Sequence, residues 1–199
     1  MIHRKWFFDS VRQSLFGGSL AQSQVDGMNA LLDRADETHM DYRQFAYVLA
    51  TTYHETAQTM QPIAEYGKGK GQPYGQPAGP YDQCYYGRGF VQLTWYDNYQ
   101  TMQDSCGSGP AWLGKNIVEC ADDALDLNVA TDIIFYGMAK GSFTGKKLSD
   151  YINAQGTDWY SARKIVNALD CASTIQGYAE KFHDALTYTP AAETGTQAA

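Results

Sequence analysis

Apolar residues recur every three or four positions along most of the chain, which is typical of amphipathic helices. Ser23 and Asp26 have the spacing of a capping box and predict the start of one helix. Asp41 is the predicted cap of the next helix, which carries an apolar stripe as far as Met60 and stops before Pro62. Further helices are predicted over residues 95–103, 121–139, 158–169 and 171–186. The pattern predicts a mainly α fold.

Three stretches depart from the helical pattern. Residues 65–86, EYGKGKGQPYGQPAGPYDQCYY, are too rich in Gly and Pro for a long helix or a central strand. A loop of this length in a compact domain is usually functional or mobile. Residues 90–94, FVQLT, predict a short extended segment, and residues 187–199 predict a disordered tail because they are small and polar. With no repeat and no long linker elsewhere, residues 1–186 are expected to form one domain.

Composition and charge exclude several classes of protein. A chain of 199 residues that is 44% apolar and 14% aromatic can fill a core, which excludes disorder for most of its length. Its net charge of −7 argues against nucleic-acid binding through a general basic surface. No apolar run reaches about 18 residues, so no membrane span is expected. The N-terminal stretch does not have the pattern of a secretory signal, because Asp9, Arg12 and Gln13 interrupt it.

The four cysteines, at positions 84, 106, 120 and 171, include no Cys-x-x-Cys pair, which argues against a zinc site. Reduced thiols in the cytosol and one or two disulfides after export both remain open. We expect neither a metal nor an organic cofactor.

Two glutamates are candidate acid and base groups. Glu55 lies near the C-terminus of the second predicted helix, just before the Gly-rich loop, and a helix C-terminus disfavours negative charge, which suits a general acid. Glu65 follows ten residues later, beyond Pro62. Paired carboxylates with room for a water between them are typical of inverting glycoside hydrolysis. The alternative is two solvated surface residues, with Glu65 beside Lys68.

The neighbouring polar residues add to this picture. No histidine lies four residues after His54, so a His-Glu-x-x-His metal motif is excluded, and a packed or hydrogen-bonded His54 is expected. Thr94 and Asn98 are four residues apart, so they can converge on one water if Thr94 caps a helix. The aromatic residues around Tyr86 belong either to the core or to a surface that stacks on sugar rings.

Three motifs resemble glycoside hydrolase family 19, which contains chitinases and phage-type lysozyme-like endolysins. They are AYVLATTYHETAQTMQPIAEYG at 46–67, YYGRGFVQLTWYDNY at 85–99 and ARKIVNALD at 162–170. The resemblance runs from about residue 24 to residue 186. Its most specific parts are the His-Glu-Thr triplet and the Gly-Arg-Gly-x-x-Gln-Leu-Thr stretch, which occur in the family's order.

The resemblance implies a lysozyme-like, mainly α single domain with a substrate groove and a Gly/Pro-rich active-site loop. It implies that Glu55 is the general acid, that Glu65 is the general base, and that Thr94 helps Asn98 to hold the nucleophilic water. The residues it assigns to substrate binding are His54, Tyr86, Arg88, Gln92, Asn98 and Asn167, with Arg88 expected to pair with an acid in the groove.

The sequence departs from the plant-type chitinases at three places. Asp97 stands where they often have Tyr, Ala168 stands where Gly is usual, and Glu65 is a lone glutamate where paired glutamates are usual. Asp82 therefore remains an alternative to Glu65 as the base.

The expected function is that of an endolysin, a muramidase that cleaves the β-1,4 bond between N-acetylmuramic acid and N-acetylglucosamine in peptidoglycan. The alternatives are a chitinase and a non-catalytic glycan-binding protein. We expect a monomer that accumulates in the cytoplasm of the producing host cell and is released to act on the cell wall in the periplasm. A net charge of −7 gives no long-range attraction to an anionic cell wall, but a local basic rim would supply a short-range one. The candidates for that rim are Lys68, Lys70, Lys146 and Lys147.

Overall fold

Helices dominate residues 2–188, the part of the chain that the computed structural model describes. The helices are α1 (Arg4–Ser14), α2 (Gln22–Thr38), α3 (Tyr42–Glu55), α4 (Tyr96–Cys106), α5 (Leu127–Lys140), α6 (Leu148–Tyr151) and α7 (Ala172–Thr187). Short 3-10 helices span Pro73–Gly75, Pro110–Trp112, Ala121–Leu125 and Ser161–Ile165. The predicted mainly α class is confirmed.

The strands in the described residues are two residues long and pair in antiparallel ribbons. They are β1 (Ile63–Ala64) with β4 (Arg88–Gly89), β2 (Pro77–Ala78) with β3 (Gln83–Cys84), and β5 (Ile152–Asn153) with β6 (Gly156–Thr157). The first two ribbons organise the Gly- and Pro-rich region, as expected for a stretch that excludes long elements.

Helix α3 lies at the centre of the core. Its residues 45–53 are all buried, and it packs most extensively against α7. The Tyr53 ring meets the rings of Tyr178 and Phe182 edge-on, with centroids 4.8 and 5.9 Å apart. Asp41 caps the helix by accepting the Arg43 N–H at 2.8 Å, which confirms that prediction. The last residue of α3 is therefore held from inside the domain.

Helix α3 ends at Glu55, not near Pro62 as predicted. Ala57, Gln58 and Met60 adopt positive φ values of 49°, 69° and 53°, so the chain turns sharply after the helix. This turn packs backbone to backbone against α2, because a Cβ on Gly27 would lie 1.7 Å from the Met60 carbonyl oxygen. A non-helical turn thus replaces the last predicted helical turn.

The start of α2 also differs from the prediction. The helix begins at Gln22, and the Gln24 side chain accepts the Ala21 N–H at 2.9 Å. The predicted capping box of Ser23 and Asp26 is wrong, because both residues already lie inside the helix.

Two further predicted helices are shorter than the apolar pattern indicated. Asp126 accepts the N–H groups of Asn128 and Val129 at 3.0 and 3.1 Å, which starts α5 and separates it from the 3-10 helix Ala121–Leu125. The helix predicted over 158–169 reduces to the 3-10 helix Ser161–Ile165. The extended segment predicted at 90–94 is a turn between β4 and Leu93, which bridges back to Arg88.

The chain ends of the domain lie side by side. Helix α7 continues to Thr187, and the ring of Tyr188 lies 5.4 Å from that of Trp6 in α1. The predicted tail thus begins inside a helix, and its residues 189–199 lie outside the described residues. No helix in residues 2–188 is long and apolar enough to span a bilayer. All four cysteines are free thiols.

Candidate active site

A cleft of about 510 Å³ opens where α3 ends and α4 begins. Its polar lining residues are Glu55, Tyr74, Gln92, Thr94, Asn98 and Asn167. Its apolar wall consists of Val91, Leu93, Trp95, Phe143 and Val166. Polar groups that converge in a half-apolar cleft are typical of a small-molecule or glycan site.

Glu55 occupies the end of α3 and is held by a buried arginine. Arg163 Nη1 donates to Glu55 Oε1 at 2.6 Å, and its Nε donates to the Asp170 carbonyl at 3.0 Å. The Arg163 side chain is 3% exposed and that of Glu55 is 16% exposed. The guanidinium therefore fixes the carboxyl group at the cleft. The sequence does not predict Arg163 as a site residue, although Arg163 lies in the motif at 162–170.

Glu65 lies beside the cleft, on the loop after β1. Its Oε2 accepts the Gly87 N–H at 3.3 Å, and its Oε1 accepts the Tyr74 hydroxyl at 3.4 Å. Its own N–H donates to the Gly87 carbonyl at 2.7 Å, which ties the loop to the strand before Arg88. Burial, together with the nearby charge of Glu65, raises the pKa of the Tyr74 hydroxyl. Glu65 thus contacts Tyr74, which lines the cleft, but does not line the cleft itself.

Thr94 and Asn98 lie together in the cleft but bond differently from the prediction. Trp95, not Thr94, is the N-cap of α4, and the Thr94 hydroxyl donates to the Gln92 carbonyl at 2.8 Å. Asn98 Nδ2 donates to the Thr94 carbonyl at 2.7 Å. Both donors are therefore used within the turn, which leaves the Thr94 oxygen and Asn98 Oδ1 as acceptors for a water.

Gln92 and Asn167 line the same cleft from two further segments. Gln92, at a φ of 53°, donates to the carbonyls of Ile63 and Gly89 at 3.1 and 3.3 Å and so joins β1 to the turn after β4. Asn167 Oδ1 accepts the Ala168 N–H at 2.8 Å. The amide nitrogen of Asn167 points to no protein acceptor within residues 2–188 and can serve a bound sugar.

The structure places three other predicted binding residues away from the cleft wall. Arg88 is 4% exposed and pairs with Asp122 at 2.8 Å, not with an acid in the groove. Its guanidinium stacks 3.6 Å from the centroid of the Tyr86 ring, which therefore supports the arginine. His54 is half-buried in the last turn of α3 and does not line the cleft. Arg88, Tyr86 and His54 therefore do not form part of the cleft wall.

Asp82, the alternative base, is exposed in the turn between β2 and β3 and does not line the cleft. A second cavity of about 540 Å³ lies between α2, α3 and α5, and its Arg34 and Asp132 are already paired with each other. In residues 2–188 no group of three or more His, Cys, Asp or Glu residues is placed to hold a metal ion. Of the predicted site residues, Glu55, Gln92, Thr94, Asn98 and Asn167 thus line one cleft.

These observations define a mainly α, lysozyme-like domain with one acid at the end of a buried helix and a second on the adjoining loop. No protein-family model and no curated protein matches the chain. Among solved structures, the chain has the fold of the family 19 chitinases.

The match to these structures extends over most of the chain. A bacterial family 19 chitinase is 22% identical, over 95% of this chain and 96% of its own, with a TM-score of 0.64. Chitinase C from Streptomyces griseus is 22% identical over 91% of this chain and 73% of its own, with a TM-score of 0.58. A class IV family 19 chitinase from Zea mays is 16% identical over 87% and 84%, with a TM-score of 0.51.

Proposed function

We propose that the protein is a glycoside hydrolase that cleaves β-1,4 bonds of an amino-sugar glycan by an inverting acid/base mechanism. The observation that carries this proposal is the placement of Glu55 in the same cleft as Thr94 and Asn98, with Glu65 across Tyr74. An acid and a separately held base with a water site are the groups that single displacement requires.

Each residue has a defined role in this mechanism. Glu55 donates its proton to the glycosidic oxygen, and Arg163 then stabilises the carboxylate that remains. Glu65 takes a proton from a water whose second hydrogen is accepted by Thr94 or Asn98. That water attacks the anomeric carbon from the face opposite the leaving group. Before the next cycle, Glu55 regains a proton from solvent through its exposed edge, and Glu65 releases the proton that it took from the water.

The substrate we propose is peptidoglycan, with the protein acting as an endolysin-type muramidase. Lys68 and Lys70 are exposed on the loop that carries Tyr74, and Lys146 and Lys147 are exposed just after Phe143. None of these four side chains forms an ion pair within residues 2–188. Positive charge on the two segments that carry the lining residues Tyr74 and Phe143 suits a glycan with anionic stem peptides.

The cellular setting follows from the same proposal. As an endolysin the protein acts as a monomer, accumulates in the cytoplasm of the producing host cell and is released to the cell wall in the periplasm.

Chitin is the second candidate substrate. The solved structures that share this fold are chitinases. Chitin lacks stem peptides and carries no carboxylates, so the four lysines give it no electrostatic advantage.

The lysine pairs separate the two substrates. Lys68→Gln with Lys70→Gln should lower kcat/KM on purified peptidoglycan by at least about threefold at low ionic strength, with the loss fading as salt is added. The same variant should cleave chitin oligomers as the wild type does. Lys5→Gln with Lys181→Gln, which removes the same charge from α1 and α7, is the matched control and should change neither rate. Turnover of chitin oligomers alone would reject peptidoglycan as the substrate, and no turnover of either would leave a glycan-binding protein.

A further inference from the structure

Tyr74 connects the candidate base to the wall of the cleft. Its hydroxyl donates to Glu65 Oε1 at 3.4 Å, while its ring lies edge-on to Trp95, with centroids 5.3 Å apart and planes at 80°. Tyr74 and Trp95 both line the cleft that holds Glu55. Glu65 therefore contacts the cleft through this tyrosine.

The position of Tyr74 is constrained by its neighbours. It lies in the 3-10 helix Pro73–Gly75, where a Cβ on Gly75 would come within 2.0 Å of the Gly69 carbonyl oxygen. The loop therefore folds tightly against itself on one side of the tyrosine. On the other side stands Trp95, whose φ of 76° is unusual for a bulky residue. Its N–H donates to the Tyr85 carbonyl at 2.8 Å, which fixes this strained backbone.

We propose that Tyr74 is the positioning residue for Glu65 and that Trp95 supports it; the proposal rests on the function proposed above. A carboxylate that acts as a base must present one lone pair to the water while its other contacts hold it still. Gly87 holds Oε2 through its N–H, and Tyr74 holds Oε1 through its hydroxyl.

A sugar bound in the cleft would also act on the contact between Tyr74 and Glu65. Both bonds to Glu65 are long, at 3.3 and 3.4 Å, and catalytic hydrogen bonds often tighten only when substrate is bound. Trp95 is 49% exposed, so a sugar ring can stack on it and restrict the neighbouring Tyr74 ring. A glycan bound in the cleft thereby restricts Tyr74 and, through it, the Glu65 carboxylate.

Tyr74→Phe removes the hydroxyl and keeps the ring. We expect kcat to fall about three- to tenfold with KM within about twofold of the wild type, the effect of one hydrogen bond made to a reacting group. Tyr81→Phe, in an exposed tyrosine of the same loop, is the matched control and should leave both constants unchanged. Trp95→Ala should lower kcat and also raise KM, because it removes the support and a cleft wall together.

Testing Tyr74→Phe in the Glu65→Gln variant as well as in the wild type distinguishes a positioning role from a purely structural one. In Glu65→Gln, which we expect to retain a low rate, adding Tyr74→Phe should lower kcat no further, because the two residues act as one unit. The same fall in both backgrounds, or no fall in either, would overturn the proposal.

Crystal structures test the inference separately from the activity. In Tyr74→Phe the Glu65 carboxylate should leave its wild-type position or occupy two conformers, whereas an unmoved, single conformer would overturn the proposal. If the wild type turned over neither peptidoglycan nor chitin oligomers, the proposed function would fail, and this comparison of the two crystal structures would still decide the role of Tyr74.

Discussion

The ion pair between Arg163 and Glu55 offers the sharpest test of the site's energetics. Its nitrogen and oxygen are 2.6 Å apart, and the two side chains are 3% and 16% exposed. Removing one partner of a buried pair costs about 3–5 kcal/mol, because the other charge stays desolvated. Because Glu55 is partly exposed, we expect Arg163→Met to lower the free energy of unfolding by about 3 kcal/mol, the lower end of this range. For a domain of this size we expect Tm to fall by roughly 6–12 °C.

The reciprocal change should cost less. In Glu55→Gln the side-chain carbonyl can still accept from Arg163, so we expect a loss of about 1–2 kcal/mol. The double variant contains neither charge, and its loss should fall short of the sum of the two single losses by at least about 1 kcal/mol.

Urea denaturation followed by circular dichroism measures these free energies of unfolding. Arg12→Met is the matched control, because Arg12 pairs with Asp9 while 37% exposed, and we expect it to cost less than about 1 kcal/mol. A loss in Arg163→Met no larger than in this control, or strict additivity in the double variant, would refute the assignment of a buried, coupled pair.

Four further predictions follow from the site and the fold. Glu55→Gln should lower glycan turnover by at least about 100-fold while glycan binding persists, and an active variant would exclude Glu55 as the acid. Residues 65–86 should exchange amide hydrogens faster in the free protein than with glycan bound, so equal strong protection in both states would count against ordering by substrate. Early products of a β-linked glycan should be the α-anomer by proton NMR, and initial β-anomer or a glycosyl-enzyme on Glu65 would reject inversion. Asp126→Ala should cost about 1 kcal/mol at pH 7 because it removes the cap of α5. Burial favours a higher pKa for Asp126, but Lys115 and the capping N–H groups outweigh it, and the pKa is lowered. The ionised cap therefore stabilises the fold above the unfolded pKa of about 4, and this stabilisation is lost as pH falls through the folded pKa. Equal losses of unfolding free energy in Asp126→Ala at pH 7 and pH 2, measured in urea, would contradict the effect.

Much of the fold could be predicted because it depends on local patterns. Asp41 and the apolar stripe behind it were sufficient to locate α3, and the stripe over 171–186 located α7 to within one or two residues. The errors occur where local and tertiary preferences compete. Met60 continues the apolar stripe of α3, but its backbone takes positive φ to pack against Gly27, and no spacing rule contains that contact.

The candidate site was predictable in its residue types but not in its pairings. Glu55 and Arg163 are separated by 108 positions in the sequence, so only the folded chain shows that they bond. The family resemblance predicts Arg88 as a substrate-binding residue, yet its burial and its pairing with Asp122 make it a support for the loop. Tyr74 lies in a stretch without periodicity, and its contact with Glu65 depends on how the loop folds back.

The central claim is that this cleft cuts the β-1,4 glycan bond of peptidoglycan after N-acetylmuramic acid. Mass spectrometry of the fragments released from purified peptidoglycan tests it most directly, with Glu55→Gln as the inactive control. We predict muropeptides that end in a reducing N-acetylmuramic acid and are absent from the control digest. Fragments that end in a reducing N-acetylglucosamine, free stem peptides, or no fragments from the wild-type protein would contradict the claim.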